Sequence, residues 1–203
     1  RNKNQMKIKT FEERNGLVFI AGFNHLPNQD ALTYFLDDIF PSLQKHLPGV
    51  KCSVIGNNLS KNLLIRIKEF QNISYYPDRS NAELEELVNN HKIGIAPLRY
   101  GAGTKGKVIT YIANHLPFVA SNIALEGINL HTIKDCIYHS NTDFVEKIVN
   151  LYKDKALYEN VQKEISFLYD QNFSKACYKT SFSNILHKLN LPQAESNFSV
   201  KKA

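Results

Sequence analysis

Short apolar runs and helix-period segments alternate along most of this chain, and that alternation restricts the fold class before any single residue is weighed. Residues 17–23 (LVFIAGF) form a continuous apolar run, the pattern of a strand covered on both faces. Pro27 and Asn28 then open a helix with Leu32, Phe35, Leu36, Ile39, Phe40 and Leu43 at helical spacing, ending at Pro48-Gly49. Further strands are expected at 52–56, 73–76, 93–98, 117–121 and 135–138. Helices are expected near 60–70, after Pro77-Asp78-Arg79, and over 104–115, where Val108, Ile109, Ile112, Ala113 and Leu116 trace an apolar face. From Asn141 onward only helices follow, near 142–152, 155–170 and 174–190. The pattern predicts an α/β fold: a doubly wound, Rossmann-like parallel sheet of about six strands, helices on both faces and a helical C-terminal segment. That domain spans 15–190, between a basic extension or linker at 1–14 and a flexible tail at 191–203. Such sheets hold ligands beyond the carboxyl ends of their strands, so the loops at 22–28, 56–60, 76–80, 98–105 and 121–128 carry any site.

Charge narrows the function class. The chain has 203 residues and a net charge of +6. Arg1, Lys3, Lys7 and Lys9 at one end and Lys201 and Lys202 at the other account for all of it, leaving 10–200 neutral. A nucleic-acid-binding domain needs a basic stripe on its folded body, so nucleic acid is excluded as a partner. The basic tails fit solvation or peripheral contact with a membrane. No apolar run approaches the roughly 20 residues needed to span a bilayer. Cys52, Cys136 and Cys177 are scattered and odd in number, which fits reduced thiols in a cytoplasmic protein, and the seven histidines form no metal-binding spacing. No metal site is expected.

The stretch 93–109 (IGIAPLRYGAGTKGKVI) reads as a buried strand, a glycine-rich turn and the start of a helix bearing two lysines. Glycines let a backbone approach a ligand closely, and a helix start offers unpaired N–H groups to an anion. Gly101-x-x-x-x-Gly106-Lys107 matches the first seven positions of a P-loop, but the eighth, which should supply a hydroxyl to magnesium, is Val108. The same glycines have dinucleotide-binding spacing, yet they follow the fourth strand instead of the first. A plain turn with solvent-facing lysines is the simpler alternative; close approach together with Lys105 and Lys107 exceeds what a turn requires. Asp37-Asp38 read as a solvated helix face, and Tyr75-Tyr76 either stack on a base or belong to the core.

Five elements in order carry a family resemblance: Ala21-Gly22-x-x-x-x-Pro27-Asn28, Val54-Ile55-Gly56, Pro97-Leu98-Arg99-x-Gly101-x-Gly103-Thr104-Lys105-x-Lys107-Val108, Leu116-Pro117-Phe118-Val119-Ala120-Ser121 and Glu126-Gly127-Ile128. Together they resemble the C-terminal, nucleotide-sugar-binding domain of retaining GT-B glycosyltransferases, group 1 or family 4 type. The resemblance covers about 17–190 and implies a bacterial enzyme of glycan biosynthesis, in the cytoplasm or at the inner face of the membrane. It would transfer a sugar from a nucleoside diphosphate such as UDP to an acceptor, with no metal or other cofactor.

In that family, Gly22, Asn24, Gly103, Thr104, Lys105 and Lys107 would hold the diphosphate, with Phe23 and His25 also facing it from the first loop. Tyr76, Pro77, Asp78 and Thr110 would border the base and ribose; His25, Glu126 and Gly127 would meet the sugar. The family's two-glutamate motif falls on Ala102 and Thr110, His115 stands where the family prefers glycine, and Asn24 stands near where many members carry a basic residue. Glu126 either faces the sugar or complements the start of a short helix. The resemblance assigns no catalytic residue here and implies an N-terminal acceptor-binding domain as partner, without which this half would bind but not turn over. The competing reading is a non-catalytic, glycosyltransferase-like binding subunit.

Overall fold

The computed structural model describes residues 7–103, 105–128, 134–174 and 177. Five parallel strands form one sheet in the order β3-β2-β1-β4-β5: β1 (Leu17–Ile20), β2 (Cys52–Ile55), β3 (Ile73–Tyr76), β4 (Ile93–Ala96) and β5 (Phe118–Ala120). The expected sixth strand at 135–138 does not form. Lys134–Cys136 is a 3-10 turn, and only Ile137 meets the sheet, through one parallel bridge to Ala120. Of the expected helix at 174–190, all but Ser174 and Cys177 lies outside the described residues, as does the tail at 191–203.

The helices are α1 (Leu26–Tyr34), α2 (Phe40–His46), α3 (Lys61–Lys68), α4 (Asn81–Asn90), α5 (Gly106–Ala113), α6 (Asn141–Lys153) and α7 (Lys155–Asn172). The first expected helix is interrupted by a π turn at Phe35–Ile39. Pro41 explains it: proline has no N–H, so the turn ending there cannot close an ordinary helical bond. The chain widens instead, and the Phe40 N–H reaches back five residues to the Phe35 carbonyl.

The basic segment before the sheet is tied to the domain over 7–14. Arg14 is 1% exposed; its guanidinium donates to Asn89 Oδ1 and the Asn114 carbonyl, both at 3.0 Å, and to the Lys9 carbonyl at 3.2 Å. Asn89 donates in turn to the Lys7 carbonyl at 2.9 Å.

What positions the site is a parting of β1 from β4. The two strands pair only at Leu17 with Ile93 and Val18 with Gly94. Beyond that point the fully buried Tyr111 of α5 inserts its hydroxyl, which accepts from the Ile20 N–H at 3.3 Å and lies 3.1 and 3.0 Å from the Val18 and Ile95 carbonyls. A Cβ on Gly94 would sit 2.8 Å from the Tyr111 ring, so the glycine makes the insertion sterically feasible. Tyr111→Phe strands the Ile20 N–H and should cost about 2 kcal/mol, the penalty of an unsatisfied buried polar group. Urea unfolding checks this; an unchanged midpoint would contradict the wedge role.

Candidate functional site

The carboxyl ends of β1 and β4 enclose a cavity of about 450 Å³ at the point where the strand order reverses direction. One wall is the turn after β1 with the start of α1, including Gly22, His25, Pro27 and Asn28. The other is the segment after β4, including Leu98, Tyr100, Gly101, Lys105, Gly106 and Lys107. None of the described lining residues is acidic.

Two lysines dominate its electrostatics. Lys107, in the first turn of α5, is only 9% exposed. Its Nζ donates to Asn28 Oδ1 at 2.6 Å and lies 5.4 Å from the centre of the Phe19 ring. Among the described residues its ammonium has no carboxylate partner. Burial, and secondarily the charge of Lys105, pulls its pKa down from 10.5 to about 8. Lys105 is also 9% exposed, caps α5 without a side-chain cap bond, and donates to the Gly101 carbonyl at 3.1 Å. Its Nζ is 3.8 Å from a carboxylate oxygen of Glu126, which is 60% exposed. The open N–H groups at the start of α5 add their partial positive charge beside both lysines. Buried cations and a helix start between two loops are an arrangement chemically suited to an anion.

Gly22, His25, Lys105 and Lys107 therefore come together on this cavity. Gly103 is exposed in the turn beside it with a φ of 83°, and Thr104 lies outside the described residues. Asn24 faces a second cavity of about 350 Å³, which shares Ile20, Ala21 and Gly22 with the first and adds Asn57, Asn58 and Arg79. Phe23 does not face the cleft. Its side chain is fully buried and stacks on Phe19 at 6.2 Å.

The expected base-binding residues stand two strands away, at the end of β3. Tyr76 lies under the Arg79 guanidinium at 5.5 Å, and the Asp78 N–H donates to Asn57 Oδ1 at 2.8 Å. Pro77 is exposed between them, and of this turn only Arg79 reaches the second cavity. Thr110 lines neither cavity; its hydroxyl donates to the Gly106 carbonyl of its own helix at 2.9 Å. Glu126 follows the 3-10 turn Ile123–Leu125 instead of opening a helix, so its contact is with Lys105, and Gly127 is exposed beyond it.

His115 replaces glycine at a φ of 48°, just past the end of α5. Its Nδ1 meets Ser166 Oγ at 2.8 Å and its ring packs edge-on to Tyr169, which ties α5 to α7. Asn28 is the contributor that sequence reasoning passed over: it read as a helix start, although it stood inside the recurring Gly22 to Asn28 element. Among the described residues no group of three or more His, Cys, Asp or Glu is placed to hold a metal ion. No described helix is long and apolar enough to cross a membrane.

The sequence profile of a family described as Glycosyl transferases group 1 matches residues 14–154, most of the chain. The chain belongs to this family. The glycosyltransferase domain is 26% identical over 184 residues to an uncharacterized 44.6 kDa protein in the cps region of Klebsiella pneumoniae, covering 87% of this chain and 47% of that protein. It thus spans about half the length of the curated relative it matches. Solved structures share its fold. Anabaena Alr3699/HepE, in complex with UDP and glucose, superposes with a TM-score of 0.68 at 12% identity, over 88% of this chain and 49% of that one. A point mutant of S. aureus TarM, in complex with Fondaparinux, alpha-GlcNAc-glycerol and UDP, gives 0.66 at 16% identity, over 88% and 37%. The five-stranded parallel sheet with its covering helices is the Rossmann-like half of the GT-B fold.

Proposed function

We propose that this domain binds the nucleoside diphosphate of a nucleotide-sugar donor and serves as the donor half of a retaining glycosyltransferase. The observation that carries the reading is Lys107: a buried ammonium with a neutral hydrogen-bond partner, beside Lys105 and the start of α5. A buried cation without a counter-charge is costly, and an incoming diphosphate supplies that counter-charge. The same groups would stabilise the negative charge that grows on the diphosphate as the sugar leaves, in a site where the field is already oriented. The two lysines and the helix start provide, on the protein, the positive charge that such a leaving group requires. Anabaena Alr3699/HepE and S. aureus TarM, which share this fold, are both in complex with UDP, which supports a nucleotide as the ligand. An acceptor-binding N-terminal domain completes the enzyme in this reading, and the domain alone binds without turnover.

Thr110 favours a second reading. It lines neither cavity, its hydroxyl proton is committed to the Gly106 carbonyl and it has no carboxylate to offer a ribose, as a non-catalytic binding subunit would tolerate. Calorimetric titration with UDP, GDP and ADP separates the two. Binding of one of them is expected, with proton uptake at pH 8.5 as Lys107 recharges against the phosphate, read from the dependence of the heat on buffer ionisation enthalpy. No binding of any of the three at millimolar concentration would sink the donor-binding reading and leave the binding-subunit one.

A further inference from the structure

The donor-binding reading says which charges meet the phosphate, but not why Lys107 is held in a form able to do so. Asn28 answers that. It sits in the first turn of α1 and its amide bridges the two walls of the cavity: Nδ2 donates to the Gly22 carbonyl at 2.8 Å, and Oδ1 accepts from Lys107 Nζ at 2.6 Å. The first bond fixes which end of the amide is which, because only the NH2 can donate to a carbonyl. The oxygen is thereby aimed at the ammonium. Pro27 beside it packs 3.2 Å from where a Cβ on Gly101 would stand, so the start of α1 is held against the turn that carries Lys105.

An aspartate is nearly the same shape as asparagine. In this place it would give Lys107 a buried ion pair and remove the free positive charge from the cavity. It would also lose the donor that Gly22 uses. The other charged or titratable groups facing Lys107 are Lys105 and Tyr100 from the segment after β4 and His25 from the turn after β1. Glu126 reaches Lys105 from the far side. No acid faces Lys107 among the described residues.

We infer that Asn28 is a positioning residue that fixes Lys107 in the cleft through a neutral acceptor, leaving its charge unspent for a phosphate dianion. This rests on the donor-binding reading for the identity of the anion, but not for the state of the lysine. The lysine's depressed pKa, near 8, accords with a neutral partner and would be incompatible with a carboxylate at that distance.

The test pairs two readouts on the 203-residue chain: the titration of Lys107 followed by NMR of isotopically labelled lysine, and UDP affinity by calorimetry at pH 7. In Asn28→Asp the Lys107 pKa should rise by about two units or more, and UDP should bind at least about tenfold more weakly. Asn28→Ser, which lacks the reach for either bond, should weaken UDP binding without raising that pKa, and it serves alone if Asn28→Asp does not fold. A Lys107 titration unmoved by Asn28→Asp, or UDP affinity within about twofold of the parent in both variants, overturns the inference. If the parent chain binds no nucleotide, the donor-binding reading fails by itself, while the Lys107 titration still decides the role of Asn28.

Discussion

Lys107→Met is expected to make this domain more stable at pH 7 and to abolish the nucleotide binding proposed for it. Lys107 is an amine whose folded pKa, about 8, lies below its unfolded value of 10.5. Below pH 8 it is charged in both states, so the fold carries the whole cost of desolvating the charge. That gap corresponds to roughly 3 kcal/mol at 1.4 kcal/mol per unit. As pH rises through 8 the folded lysine discharges first and the cost shrinks, vanishing above the unfolded value. Methionine fills the same space beside Phe19 without a charge, so after loss of the Asn28 bond the net gain should be about 2 kcal/mol at pH 7. A domain of this size should melt several degrees higher, at about 2–4 °C per kcal/mol. At pH 9.5 most of the advantage should be gone. Thermal melts at the two pH values, with UDP titrations alongside, check it. A variant less stable than the parent at pH 7 would mean the buried charge is already compensated.

The largest loss is expected at Gly56, where β2 ends. It has a φ of 146°, a region closed to residues with a Cβ, and an added Cβ would stand 1.6 Å from the Ala21 carbonyl oxygen. Neither backbone can retreat. The Ala21 N–H donates to the Ile55 carbonyl at 2.9 Å, the Gly56 N–H donates to the Tyr76 carbonyl at 3.1 Å, and the Gly56 carbonyl accepts from the Tyr75 hydroxyl at 2.8 Å. Gly56→Ala should therefore cost more than about 4 kcal/mol, a large part of the roughly 5–15 kcal/mol that holds a domain together. Gly49→Ala is the control: its φ of 80° is also left-handed, but nothing lies within 4 Å of the added Cβ. It should lose only the roughly 1–2 kcal/mol of backbone strain. Soluble yield and urea midpoints compare them. Equal effects in the two would show that crowding at Gly56 plays no part.

Much of the fold was legible because its strands are buried on both faces. Residues 17–20 and 93–96 announce themselves as runs without a polar side chain between turn residues, and 52–55 does so with Ser53 as its single polar member. The stretch at 135–138 misled because two apolar residues beside a cysteine suit a 3-10 turn and one bridge as well as a strand. Pro41 was visible in the sequence, but its π turn needs backbone geometry to recognise. On α5 the apolar face is Val108, Tyr111 and Ile112, continued by Leu116 just past its end, with Ile109 half-buried and Ala113 exposed. Tyr111 escaped notice because a tyrosine reads as amphipathic; the signal was Gly94, a residue without a side chain in the middle of a buried strand.

In the candidate site, the sequence showed that the glycine turn and its two lysines would stand together beyond the carboxyl end of β4, where they line the cavity. The burial of Lys107 was not legible, since a lysine next to glycines reads as solvated. Nor was Asn28, whose role depends on a contact 79 residues away in the chain.

Tyr111 and Lys107 stand four residues apart on one short helix. The first sets how far β1 and β4 separate, and the second sets the charge that waits between them. Width and polarity of the cleft are thus mechanically one object. A substitution that tilts α5 to admit a bulkier ligand also swings the ammonium off its mark. In the proposed donor-binding role, adaptation to a different donor has more freedom in the two flanking loops, at 21–28 and 98–103, than in α5.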